Sequence, residues 1–559
     1  MTVGGKGLTR DVQAGAGWHD FEHSECTLVS TLTFPPAGSH LWTTNLRRML
    51  SGMPVIRAEA MRALDRATIE DDGVPSLLLM ERAGFGVYQK ISEWFAPIAG
   101  RSVAVLAGKG NNGGDGMVVA RYLHEAGAKV HLWLTCDPAE FQGDPAIQWR
   151  IIQGMGIPAI PVPPEPDPAL FRDEEVLVDA LLGTGVRGAV REPLASLIRA
   201  VNESGRPIVA IDIPSGLDAD TGKVEGVAIR AHYTVTMALP KLGFFQNDGP
   251  RHIGRWVAVP IGVLPERLRQ VEASARLLSE TEVYRLIPSL PPDGHKGTRG
   301  HLLVVGGSLG MAGAPALAGI SALRVGAGLV TVAVPARVQP QTASFYPELM
   351  TLPLPDGDQG VLTVEGVRRL QDRLARFDGL ALGPGLGFAE PTGKAVLELL
   401  ALWSSLERPL IVDADGLNWL AQFGSELPLP RSTVLTPHPG EAARLLGIDT
   451  RQVQEDRLGS ALWLRDRYRA TIVLKGAYTV VADVDTEVPW IVPIAEPSLG
   501  TGGSGDVLTG AIGGLMVRGL SPIHAGLAGV YLHAEAGVRL NCSGRHAYTA
   551  EELSRALAP

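Results

Sequence analysis

Short β-branched apolar runs that empty into glycine-rich turns recur along this chain, and that rhythm constrains its fold more than any other feature. Val103 to Ala107 runs into Gly108-Lys109-Gly110-Asn111-Asn112-Gly113-Gly114-Asp115-Gly116, and Met117 to Glu125 then has helical spacing. Lys129 to Leu134, Val176 to Leu181, Pro207 to Ile211, Tyr233 to Ala238 and Arg255 to Pro260 repeat the apolar run, with helical segments such as Ala195 to Val201 between them. Strands that are apolar throughout are buried on both faces, so the expectation is a Rossmann-like, doubly wound parallel α/β sheet. Two helices over Ile56 to Tyr88 should precede it, and the Pro-rich segment Ile157 to Pro168 reads as a surface connector.

A chain of 559 residues is too long for one core. A charged helix over Leu264 to Leu278 and a turn-rich stretch near residues 289 to 294 mark a break, and a second α/β series follows. Its strands are expected at His301 to Gly306, Leu329 to Val334, Leu380 to Leu382, Leu410 to Val412, Thr433 to Leu435 and Ile472 to Leu474, with helices at Ala316 to Val325 and Val364 to Phe377. The division is therefore 1-52 as an appendage without sustained period, 53-276 as a first domain and 277-559 as a second.

The net charge of −9 gives no electrostatic reason to expect nucleic acid or an anionic membrane, so any phosphate site must be local. Cys26, Cys136 and Cys542 lie far apart without C-x-x-C spacing, which supports neither a disulfide framework nor a zinc site. A reducing cytoplasm is then the simplest compartment, and no apolar run reaches the roughly 18 residues that a membrane helix needs.

Gly500 to Gly510 carries five glycines and one acid, Asp506, ahead of an apolar helix. Glycines there leave several backbone N–H groups free to point at an anion, and the helix-start field adds to the attraction. The same field should keep Asp506 ionised and able to take a proton from a substrate hydroxyl. A base beside a phosphate cradle suggests phosphoryl transfer to an alcohol; the alternative is a glycine-rich helix start that only caps and packs.

In the first half, three loops fall at carboxyl ends of expected strands, where open α/β sheets bind ligands. They are Asn111 to Asp115, Asp179 to Gly188 and Asp212 to Asp218. Their glycines can bring N–H groups to a pyrophosphate, and Arg187 suits a phosphate. The oxygens of Asn112, Asp179 and Ser215 could hold a hard cation, although the same residue types also serve tight turns.

These loops resemble those of NAD(P)H-hydrate epimerases, over residues 53 to about 275. The resemblance implies substrate contacts from Asn111, Asn112, Gly113, Gly114 and Asp115, from Gly183, Thr184, Gly185, Val186, Arg187, Gly188 and Ala189, and from Asp212. It also implies potassium held by Asn112, Asp179 and Ser215. Residues 277 to 559 resemble the ADP-dependent NAD(P)H-hydrate dehydratases of the ribokinase-like superfamily. They do so through His295-Lys296-Gly297, Gly306-Gly307-Ser308, Gly383 to Gly387, Asp413 to Asn418, Thr436 to Glu441, Lys475-Gly476 and Gly500 to Gly510. By that resemblance Ala314, Gly385, His438 and Asp506 contact a hydrated nicotinamide nucleotide, and Lys475, Gly476, Ala477, Tyr478, Thr479 and Gly505 contact ADP. Glu496-Pro497 departs from the Asn-Pro that many relatives carry before the glycine loop.

Together the halves resemble bifunctional nicotinamide-nucleotide repair enzymes. That resemblance implies epimerisation of hydrated NADH and NADPH in the first half, with Asp212 moving the proton. It implies ADP-dependent dehydration in the second, with Asp506 as base, magnesium arriving with ADP, and self-association through the second half. The rival for the second half alone is a small-molecule kinase for a pyrimidine or thiazole alcohol. A rival of another class is a first half that only binds nucleotide or protein.

Overall fold

The computed structural model of the protein describes residues 52–289 and 292–558, so the appendage expected over 1–52 lies outside the described residues save for Gly52. No helix among the described residues is long and apolar enough to cross a membrane.

The first sheet is parallel throughout. Its strand order is Ala159–Pro161, Lys129–Leu134, Ser102–Ala107, Val176–Ala180, Ile208–Ile211, Tyr233–Met237 and Arg255–Val259. The central strand shows why: Val103, Val105 and Ala107 pack into one apolar layer, while Ala104 and Leu106 pack into another on the opposite face. Side chains alternate across a strand, so a run without polar residues must be covered on both sides. Helices Ser76–Trp94 and Asn111–Glu125 supply one cover and Leu194–Glu203 the other.

The second sheet runs Met53–Val55, Ala275–Leu277, Trp490–Ile491, Val480–Ala482, Thr471–Leu474, Thr433–Leu435, Leu410–Val412, Gly379–Leu382, His301–Val305, Leu329–Pro335 and Met350–Leu354. Leu303 and Val305 face one layer, Leu302 and Val304 the other, by the same logic. The strands from Thr471–Leu474 to Met350–Leu354 are parallel, and Val480–Ala482 turns the sheet antiparallel.

Three local readings need correction, and one strand lies where none was expected. The helix over 111–125 starts at Asn111, not Met117, so the Asn-Gly segment is its first turn rather than a free loop. The charged stretch 264–278 is a short helix, Pro265–Gln270, followed by a strand, Ala275–Leu277. Met53 opens a strand that pairs antiparallel with that one, Met53 opposite Leu277, before the helix Ala58–Glu70 begins. Part of the connector 157–168 is the edge strand Ala159–Pro161, where the prolines remove no needed donor because its outer side is unpaired. Cys136 is a free thiol.

The two units touch closely. The Phe245 ring meets Tyr478 edge-on with centroids 5.0 Å apart, and Asn247 Nδ2 donates to the Glu455 carbonyl at 3.3 Å.

Candidate active sites

In the first unit the three expected loops do converge. Gly113 comes so close to the turn at Gly108 that a Cβ there would sit 1.8 Å from the Gly108 carbonyl oxygen, which explains the glycine. Asn112 Nδ2 donates to the Leu182 carbonyl at 3.0 Å. Ser215 Oγ lies 3.2 Å from that same carbonyl and donates to Asp179 Oδ1 at 2.6 Å. Asp179 also accepts from Ser215 N–H at 2.8 Å and Leu181 N–H at 3.2 Å.

Burial pushes the Asp179 carboxyl up to about 6, against the pull of those hydrogen bonds, and no cation of the chain contributes. A fully buried carboxylate with oxygens of Asn112, Ser215 and a carbonyl beside it fits a monovalent cation, which prefers oxygen and supplies the missing charge.

Asp212 follows the strand Ile208–Ile211 in a left-handed conformation, φ +64°, that costs a non-glycine residue energy and that functional sites often retain. Its Oδ1 accepts from Met237 N–H at 3.0 Å, from Thr236 Oγ1 at 3.1 Å, and from Lys241 Nζ. Lys241 is 0% exposed, and its Nζ also donates to Thr236 Oγ1 at 2.9 Å and the Met237 carbonyl at 3.2 Å.

Two further carboxyls face this pair. Burial, only partly offset by Lys241, pushes Asp65 up to about 6; burial, then Asp212 and Asp65, raises Asp115 well above its ordinary value. The site therefore holds one carboxyl raised well above its ordinary value, Asp115, and one raised to about 6, Asp65, beside one that is ion-paired. Arg187 is engaged by Asp218 Oδ2 at 3.2 Å and Asp220 Oδ2 at 2.8 Å, so it ties the loop down as well as offering charge.

Sequence reasoning missed Lys241 and Asp65. Each carried a signal: Lys241 is the one charge between Tyr233 and Phe245, and Asp65 sits on the helix face with Met61, Leu64 and Thr68.

In the second unit Gly503, φ +87°, caps the helix Ser504–Val517, which places Asp506 in its first turn. Ser504 Oγ lies 3.0 Å from His533 Nε2, and burial depresses that imidazole to about 4, so it stays neutral. Lys475 Nζ donates to Asp413 Oδ1 at 2.7 Å and lies 3.7 Å from Glu441 Oε2. Thr509 Oγ1 donates to Asp413 Oδ2 at 2.7 Å. Burial alone would raise Asp413; the Lys475 charge and these hydrogen bonds outweigh it and keep the carboxyl below its ordinary value. A Cβ at Gly505 would lie 3.6 Å from Lys475 Nζ, so the helix start and the lysine share one space.

The expectation that the helix field keeps Asp506 readily ionised is corrected. Burial first, then the Asp413 charge, only partly offset by Lys475, pushes it up to about 7. That value poises a carboxyl as a general base near neutrality.

The other stretches close around it. Gly383 must be glycine, since a Cβ would meet the Asp413 carbonyl oxygen at 1.8 Å and its φ is +132°. A Cβ at Gly385 would lie 3.3 Å from the Ala314 Cβ, which puts those two expected contacts side by side. His438 caps the helix Pro439–Leu446, with its N–H donated to Glu441 Oε2 at 2.7 Å. Burial, then Lys475 and Arg444, hold its imidazole below the ordinary value. Lys475 N–H reaches the Pro437 carbonyl at 2.9 Å, joining the His438 segment to Lys475–Thr479. Below that loop the buried Arg457 donates to the carbonyls of Ala477 at 2.5 Å and Leu474 at 3.2 Å. Glu496, the departure from the family pattern, accepts from Ser498 N–H at 3.1 Å and caps its own short turn.

Residues 302–559 match the protein family described as NAD(P)H-hydrate dehydratase, and residues 76–243 match the YjeF-related protein N-terminus. The bifunctional NAD(P)H-hydrate repair enzyme Nnr of Moorella thermoacetica is 42% identical over 496 residues, covering 87% of this chain and 92% of the relative. The protein of the same description from Salinibacter ruber is 40% identical over 512 residues, with coverage of 87% and 92%. Among solved structures, an ADP/ATP-dependent NAD(P)H-hydrate dehydratase from Bacillus subtilis, co-crystallized with ATP/Mg2+, is 31% identical. It covers 50% of this chain and 95% of its own, with a TM-score of 0.43. Because the relatives run through both sheets and both clusters of side chains, the chain belongs to the family of bifunctional NAD(P)H-hydrate repair enzymes.

Proposed function

We propose that the chain repairs hydrated nicotinamide nucleotides at two separate sites, one interconverting the epimers of hydrated NADH and NADPH and one dehydrating the S form with ADP. The observation that carries this reading is Asp506, raised to about 7 and set in the first turn of a glycine-capped helix beside Lys475.

Direct loss of hydroxide from the hydrated ring is slow because hydroxide leaves poorly. Asp506 takes the hydroxyl proton as that oxygen bonds to the β-phosphorus of ADP, and AMP departs. Backbone N–H groups of Gly502 to Gly505 and the Lys475 ammonium stabilise the transferring charge. The ring-nitrogen electron pair then breaks the C–O bond and expels phosphate, and loss of a proton from the adjacent carbon restores the dihydropyridine. Magnesium carried in with ADP would neutralise phosphate charge. Asp413 keeps Lys475 in place, and Thr509 keeps Asp413 in place.

In the first unit the hydroxyl must leave as water and return on either face. Asp65 and Asp115, whose affinity for a proton burial raises, suit protonation of that hydroxyl; Asp212, fixed by Lys241, suits the returning step. Potassium bound by oxygens of Asn112, Asp179 and Ser215 would fix the Leu182 and Ser215 turns that flank the substrate. The enzyme works in the cytoplasm and self-associates through its second unit; a monomeric mass in light scattering at micromolar concentration would contradict the latter. A pyrimidine or thiazole kinase does not account for a family relationship that spans both halves.

The test is to incubate hydrated NADH with ADP, magnesium and enzyme. Return of NADH absorbance with one AMP per NADH is expected; AMP formed without NADH would refute the reading.

A further inference from the structure

Beside the dehydratase site lies a cavity of about 500 Å³, lined by Phe388, Asn418, Ala421, Gln422 and Arg444. None of these is among the substrate or nucleotide contacts assigned above. The walls are nonetheless direct continuations of the site. Phe388 follows Gly387, whose N–H donates to Asp415 Oδ2 at 2.8 Å. Asn418, Ala421 and Gln422 lie on the helix Asp415–Phe423, and Arg444 lies on the helix that His438 caps.

Phe388 is 57% exposed, yet it is not loose. Its ring leans on Trp419 with centroids 5.8 Å apart; Trp419 stacks on Phe423, and its indole N–H donates to the Gly387 carbonyl at 3.0 Å. An exposed aromatic face held this way is a stacking platform, and stacking accepts any flat base. Arg444 Nη1 donates to Asn418 Oδ1 at 2.8 Å, which leaves the rest of its guanidinium fork for an anion. The amides of Asn418 and Gln422 can read a base edge.

The reading under Proposed function, on which this inference rests, fixes what must come here. The hydrated ring sits at Asp506, Gly385 and His438, and ADP takes the Lys475–Thr479 side. The segments at Gly387 and Arg444 lead from that site to this cavity, which has room for part of the dinucleotide's other half. We propose that this cavity is the subsite for the adenosine half of the hydrated dinucleotide, with the adenine stacked on Phe388 and a phosphate on Arg444.

The experiment compares hydrated NADH with the hydrated reduced mononucleotide, which lacks the adenosine half, using the full chain with saturating ADP and magnesium. Phe388→Ala should raise KM for hydrated NADH roughly 10- to 100-fold, the worth of one stacked base, with kcat nearly unchanged. KM for the mononucleotide should not move, and Phe388→Trp should restore the wild-type value. Arg444→Gln should raise the dinucleotide KM by a smaller factor. Equal effects of Phe388→Ala on both substrates, or none on either, would overturn the proposal. Turnover of neither substrate by the wild-type chain would instead remove the dehydratase reading itself.

Discussion

Each unit sets a lysine against an aspartate at the carboxyl end of its sheet, but the two pairs are wired differently. In the first, Lys241 grips Asp212, the residue expected to move the proton. In the second, Lys475 grips Asp413, and Asp506 stands apart with no salt bridge of its own among the described residues. Separating base from cation lets burial raise the base to about 7 while the ammonium stays available for phosphate. Joining them holds the carboxylate rigid beside Asp65 and Asp115, whose hold on a proton burial strengthens. A site that must activate a hydroxyl and a site that must release one call for proton transfer in opposite directions, and the two pairs are wired differently.

The largest test exchanges the two roles. Asp506→Asn keeps size and hydrogen bonding while deleting the base, and should cut ADP-dependent recovery of NADH by about 10²–10⁴ while epimer exchange persists. Asp212→Asn should do the reverse, leaving one epimer unconsumed. If either substitution abolishes both activities while circular dichroism shows an intact fold, the contrast between two independent sites fails.

Removing Lys241 tests the tight pair. Lys241→Met leaves Asp212 largely buried without its counter-charge and should destabilise the protein by about 3–5 kcal/mol in denaturant unfolding. A loss below about 1 kcal/mol would show that Asp212 finds other support.

The pH dependence tests the loose arrangement. Asp506 must be ionised to act, so dehydratase kcat/KM should fall about tenfold for each pH unit below about 7 and level off above it. A profile flat from pH 5 to 8 would mean that another group is the base.

The smallest effect concerns the cation. A carboxyl raised from 3.8 to about 6 binds its proton more tightly when folded, so Asp179 contributes stability below its unfolded pKa that is lost as pH rises through about 6. Potassium should restore it by replacing the proton, with up to about 2.7 kcal/mol at a hundredfold excess over Kd. The potassium-induced rise in Tm should therefore be larger at pH 7.5 than at pH 5. Equal shifts with tetramethylammonium would exclude the site.

The parallel core of both units could be read from the chain because continuous apolar runs have few alternatives once glycine turns punctuate them. Elements that depend on a distant partner were not legible. Ala275–Leu277 looks like the tail of a charged helix until Trp490–Ile491 is placed beside it, and Val480–Ala482 is short enough to pass for a loop. The contacts expected at 111–115, 183–189, 212, 385, 438, 475–479 and 505–506 could be named because those stretches match motifs of the family the chain resembles, while glycines and acids after the apolar runs marked the loops themselves. Lys241 and Asp65 could not be assigned a role, since only folding brings a loop lysine and a helix aspartate to the same carboxylate.

The strand Met53–Val55 turns the boundary between the units into a question of timing. On a growing chain it can pair with Ala275–Leu277 once the first unit has been made, but that ribbon has nothing on its far side until Trp490–Ile491 emerges. Through the synthesis of some two hundred intervening residues it presents an open strand edge, the kind of surface that recruits other chains. A piece ended anywhere between Leu277 and Trp490 would keep that edge permanently, so fragments should be cut before Ala275 or not at all.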